Sequence, residues 1–152
     1  MSVLGVRCST TDFTFAIVEG TVAIPSLLRL ETVAYPKGFS RPELLNWLLQ
    51  EFEAINENSK PDQWAIKGAE PMAAKGNSFA SRVECEAMFI LSVGKLGSQN
   101  IIRKVKPTIA KDLGLKGRAK ALIDDLDHSL IPEIDVKKAK EFDAILVAWS
   151  CL

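Results

Sequence analysis

The sequence has one histidine and three cysteines in 152 residues, and each scarcity removes a class of function. A histidine-based triad or a His-containing zinc site would depend on His128 alone, which stands between Asp127 and Ser129 in a turn-forming stretch and reads as a surface residue. Cys8, Cys85 and Cys151 are odd in number and widely spaced, so they form neither a disulfide framework nor a zinc motif. The expectation is reduced, mostly buried thiols in a cytoplasmic protein. No charge of one sign dominates: Lys+Arg and Asp+Glu are both 19, so any electrostatic argument has to be local. No apolar run approaches the roughly 18 to 20 residues that cross a bilayer. The N-terminus also lacks the charged, apolar and small-residue succession of a signal peptide, so no membrane partner is expected.

What is present suits one domain, residues 1–152, with 47% hydrophobic and 25% charged residues. Residues Ser2 to Ala34 are rich in β-branched and aromatic side chains and are cut by Ser9-Thr10-Thr11-Asp12 and by Glu19-Gly20-Thr21. They predict three strands. In the second, Phe13 to Val18 carries no charge on either face, which predicts a sheet covered on both sides. Pro25 places the third at an edge or a bulge.

Ser40-Arg41-Pro42-Glu43 has the form of a capping box and opens a helix whose stripe is Leu44, Leu45, Leu48, Leu49, Phe52 and Ile55. Gln63 to Gly68 predicts a fourth strand. A second helix from about Ser78 to Leu96 has its predicted buried stripe on Phe79, Val83, Ala87, Ile90 and Leu91. Asn100 to Val105 predicts a fifth strand, Thr108–Leu113 a short helical turn, Arg118–Leu126 a longer one, and Val136–Trp149 a last helix. Trp47, Trp64 and Trp149 all lie in apolar periodic segments and read as core. The order β-β-β-α-β-α-β-α-α describes an α/β fold with a mixed five-stranded sheet and helices on both faces.

Several local strings, in this order, resemble the RNase H-like superfamily and within it the RuvC-type Holliday-junction resolvases. Val3-Leu4-Gly5-Val6 is similar to the family's opening strand, Trp64-Ala65-Ile66 to its fourth strand, and Ala74-Lys75-Gly76-Asn77 to the loop that follows. Lys106 to Lys111, with Gly117-Arg118-Ala119-Lys120 after it, resembles a basic segment beyond strand five, and Asp143 to Ala148 resembles the final helix. The resemblance implies a nuclease site in which acids on the first strand, the fourth strand and twice on the last helix hold two divalent cations about 4 Å apart.

Carried over residue by residue, those four positions fall on Arg7, Lys67, Lys140 and Asp143. Three acids replaced by three bases move the formal site charge from about −4 to about +2, which repels magnesium. The resemblance therefore implies a degenerate, catalytically inactive RuvC-like domain with no metal or other cofactor, acting as a nucleic-acid-binding or protein-interaction module. In it, Asp143 pairs with Arg7 or Lys140. An alternative is a rearranged acidic site of Asp12, Glu70 and Asp143, using Mg2+ or Mn2+ as a metal-dependent endonuclease. A further alternative is a homodimeric interaction protein unrelated to nucleic acid.

Between Arg103 and Lys120 stand seven bases and one acid, Asp112. Lys104, Lys106, Lys111, Lys116, Arg118 and Lys120 are the candidates for binding DNA or RNA phosphates, with Lys111 and Lys120 the best matches to the family's basic segment. Downstream acids Asp124, Asp125 and Asp127 leave open a purely solvated face. The family's dimeric habit and the apolar second helix, with Met88, Phe89 and Ile90, imply a homodimer.

Overall fold

A computed structural model describes all 152 residues. The chain opens with three antiparallel strands, β1 (Ser2–Cys8), β2 (Asp12–Thr21) and β3 (Ile24–Ala34). Helix α1 (Arg41–Ser59) returns the chain to β4 (Gln63–Lys67), and α2 (Asn77–Lys95) leads to β5 (Ile101–Lys104). The last third holds α3 (Lys106–Asp112), the single turn α4 (Ala121–Asp124), a 3-10 turn (His128–Leu130) and α5 (Ala139–Trp149). The sheet order is β3-β2-β1-β4-β5, with β1, β4 and β5 parallel. This is the mixed five-stranded sheet that the sequence predicts.

Alternation along the strands divides the core in two. Leu4, Val6, Phe13, Phe15, Trp64 and Ile66 pack against α1 and α2, with Phe52 and Phe89 meeting ring to ring at 5.1 Å. Val3, Ala16, Val18 and Ala65 pack against α5, where Ile145, Ala148 and Trp149 are buried. Residues Phe13 to Val18 are buried on both faces, as their lack of charge predicts. Pro25 lies on the edge strand β3, and a register shift between Ile17 and Val18 adds a bulge. Ser40 caps α1 by accepting from the Glu43 amide at 3.4 Å.

Gly5 sets how closely α5 lies on the sheet. A Cβ there would stand 2.5 Å from the Ala144 carbonyl oxygen and 2.9 Å from the Ala148 Cβ, so only glycine lets helix and strand meet. That contact brings the first turns of α5 over the C-terminal ends of β1 and β4.

Five sequence expectations are corrected. The buried side of α2 is Cys85, Glu86, Phe89, Ser92 and Val93, whereas Val83, Ala87, Ile90 and Leu91 face outward. The period matches either face, and the ion pairs of Arg82 and Glu86, described below, turn the helix toward the sheet. The last helix begins at Ala139 rather than Val136, and Arg118–Leu126 contributes only the turn Ala121–Asp124. Trp47 is half-buried and meets Tyr35 edge-on, while Trp64 and Trp149 are core. His128 is also half-buried, hydrogen-bonded to the Leu122 carbonyl at 2.8 Å and edge-on to Phe142.

Candidate functional site

Parallel strands end together, and here three bases stand at or beside that end. Arg7 lies one step past the Val6–Ile66 pairing, and Lys67 is paired in register with Lys104. Alternation sends all three toward α5, opposite Val6 and Ile66 on the other face. Such a row repels itself unless each member meets an anion or a carbonyl.

Each does. Arg7 Nε donates to Asp143 Oδ2 at 3.1 Å, and its Nη1 donates to the Cys8 carbonyl and to Ser9 Oγ. The Asp143 side chain is 8% exposed, and its other oxygen faces only the Lys106 ammonium, 3.8 Å away. Lys67, whose side chain is 3% exposed, donates to Glu70 Oε1 at 2.7 Å and to the Gly68 carbonyl at 2.6 Å. Burial pulls the Lys67 pKa below its ordinary value, and the Glu70 and Asp143 charges only partly offset this. Partial burial alone would raise Glu70, but the Lys67 ammonium and the Lys106 amide outweigh it and hold that carboxyl below the usual range. Lys140 donates to both oxygens of Asp12, at 2.8 and 2.9 Å.

The expected partner of Asp143 is thus Arg7, and Lys140 turns to Asp12 instead. The acids of the alternative metal site, Asp12, Glu70 and Asp143, are brought to three separate bases rather than to one another. No three His, Cys, Asp or Glu side chains converge as they would to hold a metal ion. Magnesium takes oxygen ligands, and the four positions offer three cationic nitrogen groups and one carboxylate already bound to Arg7; the donor set does not fit that metal.

Two contributors went unnoticed in the sequence. Arg82 on α2 donates through Nε to Glu86 Oε1 at 3.2 Å and through Nη2 to the Lys67 carbonyl at 2.5 Å. Arg103 reaches the other Glu86 oxygen at 2.8 Å. Burial lowers the Arg82 pKa, and the nearby Arg7 charge lowers it further. The signal was present as an Arg–Glu pair four residues apart on the helix side that also carries Cys85 and Phe89. The turn residues Ser9, Thr10 and Thr11, read only as turn formers, also edge the site. Arg7, Arg82 and Lys140 open with them onto a cavity of about 400 Å³ between the β1–β2 turn, the loop after β4 and the start of α2.

The basic segment separates by direction. Lys111, Lys116, Arg118 and Lys120 are exposed. Lys106 is partly buried beside Asp143 and belongs to the strand-end site. Lys104 is a correction: it is 9% exposed, donates to the Ser150 carbonyl at 2.7 Å and lies 2.8 Å from Asp112, so it faces the interior. Its position as the terminal residue of β5, on the α5 side, fixes that direction.

No helix is long and apolar enough to cross a membrane. No protein-family model and no curated protein matches the chain. Among solved structures it is similar to Thermus thermophilus RuvC, with a TM-score of 0.78 and 16% identity over 99% of this chain and 92% of that one. The same protein in complex with a Holliday junction substrate gives a TM-score of 0.77 at 12% identity, covering 99% and 91%. The yeast mitochondrial Holliday junction resolvase gives 0.65 at 14% identity, covering 97% and 76%. The chain has the RNase H-like fold of the RuvC-type Holliday-junction resolvases.

Proposed function

We propose that this chain is a metal-free RuvC-like domain that binds nucleic acid through its phosphates, without hydrolysing them, and works as a homodimer. The observation that carries the reading is the charge of the strand-end site. Arg7, Lys67 and Lys140 stand at three positions where the resembling nucleases place acids, and each is tied to its own carboxylate. The DNA-bound RuvC structure supports nucleic acid as the partner class. Lys111, Lys116, Arg118 and Lys120 supply exposed cations for it.

The outward face of α2 supports the homodimer. Val83, Ile90 and Leu91 are 39%, 40% and 46% exposed, and exposed Ala80, Ala87 and Gly94 share that face at helical spacing, before, between and after them. Small residues alternating with branched ones let two such helices approach closely. Ile90→Glu is expected to convert a dimer to a monomer in sedimentation equilibrium; an unchanged mass removes α2 as the contact.

Binding is tested with branched and duplex DNA over a salt series. Four phosphate contacts give a log–log salt slope of roughly −3.6, and Lys111→Glu with Lys120→Glu reduces its magnitude by about 2. Calorimetry with magnesium or manganese is expected to show no specific site. A saturable two-site isotherm, or DNA cleavage abolished by Asp143→Asn, overturns the metal-free reading.

A further inference from the structure

The cavity at the end of β1 is asymmetric in charge. Arg7, Arg82 and Lys140 line it, and no Asp or Glu does. Their carboxylate partners Asp143, Glu86 and Asp12 sit behind them, so three ion pairs point their positive ends into one space. Two of these side chains keep unused donors. Arg7 Nη2 and Arg82 Nη1 donate to no protein group, whereas their other nitrogens do. Helix α2 begins at the same cavity, through Ser78 and Phe79. Gly76 gives it no side-chain cap and its first turn holds no acid. Its first helical bond runs from the Ala80 amide to the Gly76 carbonyl, so the amides of Asn77, Ser78 and Phe79 are free.

We infer that this cavity binds a phosphate monoester dianion directly, with Arg7, Arg82, Lys140 and the α2 amides as its donors and no metal between. Two cationic forks, an ammonium and a helix N-terminus converge where a tetrahedral anion can satisfy them together. A diester offers two free oxygens and one charge. A monoester offers three oxygens and close to two charges at neutral pH, a better match to this many donors. The hydroxyls of Thr10, Thr11 and Ser78 line the same wall. A volume of about 400 Å³ exceeds what phosphate alone fills, and leaves room for the sugar it is attached to. The anion also relieves the repulsion that Arg7 exerts on Arg82. The inference rests on the proposed metal-free site and adds its ligand: the 5′-phosphate of a strand end, or a small phosphomonoester of the same chemistry.

The test follows amide resonances of the full chain during titration with inorganic phosphate, then compares a 5′-phosphorylated strand, the same strand with a 5′-hydroxyl, and a nucleoside monophosphate. Saturable shifts are expected at Asn77, Ser78 and Phe79, weakening below about pH 6 as the dianion takes a proton. Ser78→Glu sets a carboxylate in the first turn of α2, which favours the helix while filling the anion site. It is expected to abolish these shifts without lowering Tm. A phosphorylated strand at least tenfold tighter than its hydroxyl counterpart and than the mononucleotide assigns the site to strand ends. Equal affinity of strand and mononucleotide assigns it to small phosphomonoesters. Absent or unsaturable shifts at those amides overturn the inference whatever the strands do. Salt-dependent DNA binding in that case leaves the nucleic-acid reading standing, and saturable magnesium binding overturns the metal-free premise separately.

Discussion

Replacing Arg7 by methionine tests whether an ion pair now holds together the place where β1, β4 and α5 meet. Arg7 and Asp143 are 3.1 Å apart with side chains 21% and 8% exposed. At an effective dielectric constant of 20 their gross attraction is about 5 kcal/mol, and that of Lys106 for Asp143 at 3.8 Å is about 4 kcal/mol. Stranding a buried charge costs roughly 3–5 kcal/mol. Lys106 stays in place and Arg7 keeps some hydration, so the expected cost of Arg7→Met is nearer to about 2–3 kcal/mol. For a chain of 152 residues that is a fall in Tm of roughly 4–12 °C. The cycle is completed with Asp143→Asn. In that background there is no carboxylate to strand, and Arg7→Met is expected to cost less than about 1 kcal/mol, a coupling of more than about 1 kcal/mol. Urea denaturation of the four proteins supplies the free energies. An Arg7→Met cost below about 0.5 kcal/mol, or the same cost in both backgrounds, refutes the claim that this pair holds the site together.

Lys67→Met removes a buried cation whose pKa is depressed by burial. A folded pKa below the unfolded value of 10.5 means that the unfolded chain binds more proton between the two, so this group makes stability rise with pH across that window. The wild-type stability, measured relative to Lys67→Met, is expected to climb as the pH rises toward 10.5; a flat or falling difference contradicts the assignment. Gly5→Ala drives a methyl into the Ala144 carbonyl, where backbone cannot give way, and is expected to cost about 3 kcal/mol, the upper end of overpacking, in denaturant midpoint analysis. A cost below about 1 kcal/mol shows that α5 can lift from the sheet. Lys104→Met is expected to lower Tm and leave the DNA salt slope unchanged, because the ammonium faces Ser150 and Asp112; a shallower slope returns it to the interface.

Much of the fold was legible because its signals are local. Pro25 placed β3 at an edge or a bulge, uncharged Phe13–Val18 indicated two covered faces, and Ser40 with Glu43 marked the start of α1. The face of α2 was not legible. Apolar residues line both sides of that helix, and the side that won carries Arg82 and Glu86, whose value comes from Lys67 and Arg103 on β4 and β5. The positions of Arg7, Lys67, Lys140 and Asp143 could be read, and the partner of Asp143 was narrowed to Arg7 or Lys140, but the partners of Lys67 and Lys140 could not be read. Lys140 reaches Asp12 across 128 positions of sequence, and nothing local distinguishes that acid from Asp143. Lys104 was misread for the opposite reason: a run of bases looks uniform in sequence, while strand alternation sends one of its members inward.

The backbone at this site is set by apolar contacts that take no part in its chemistry. Gly5 against Ala144 and Ala148 fixes the height of α5, and the pairing of Val6 with Ile66 fixes the strand ends. Whatever side chains stand at positions 7, 67, 140 and 143 are therefore brought to the same sheet end. Four carboxylates held there repel one another until a cation joins them. The residues present neutralise one another in pairs, so the fold needs no ligand to keep the site closed. Pairing does not leave the site neutral in every direction, because the carboxylates lie on the protein side of each pair and the bases on the cavity side. An anion entering the cavity meets positive groups first, and so does a metal ion. On the proposed reading, the same geometry that would gather metal ligands repels a metal here and receives a phosphate.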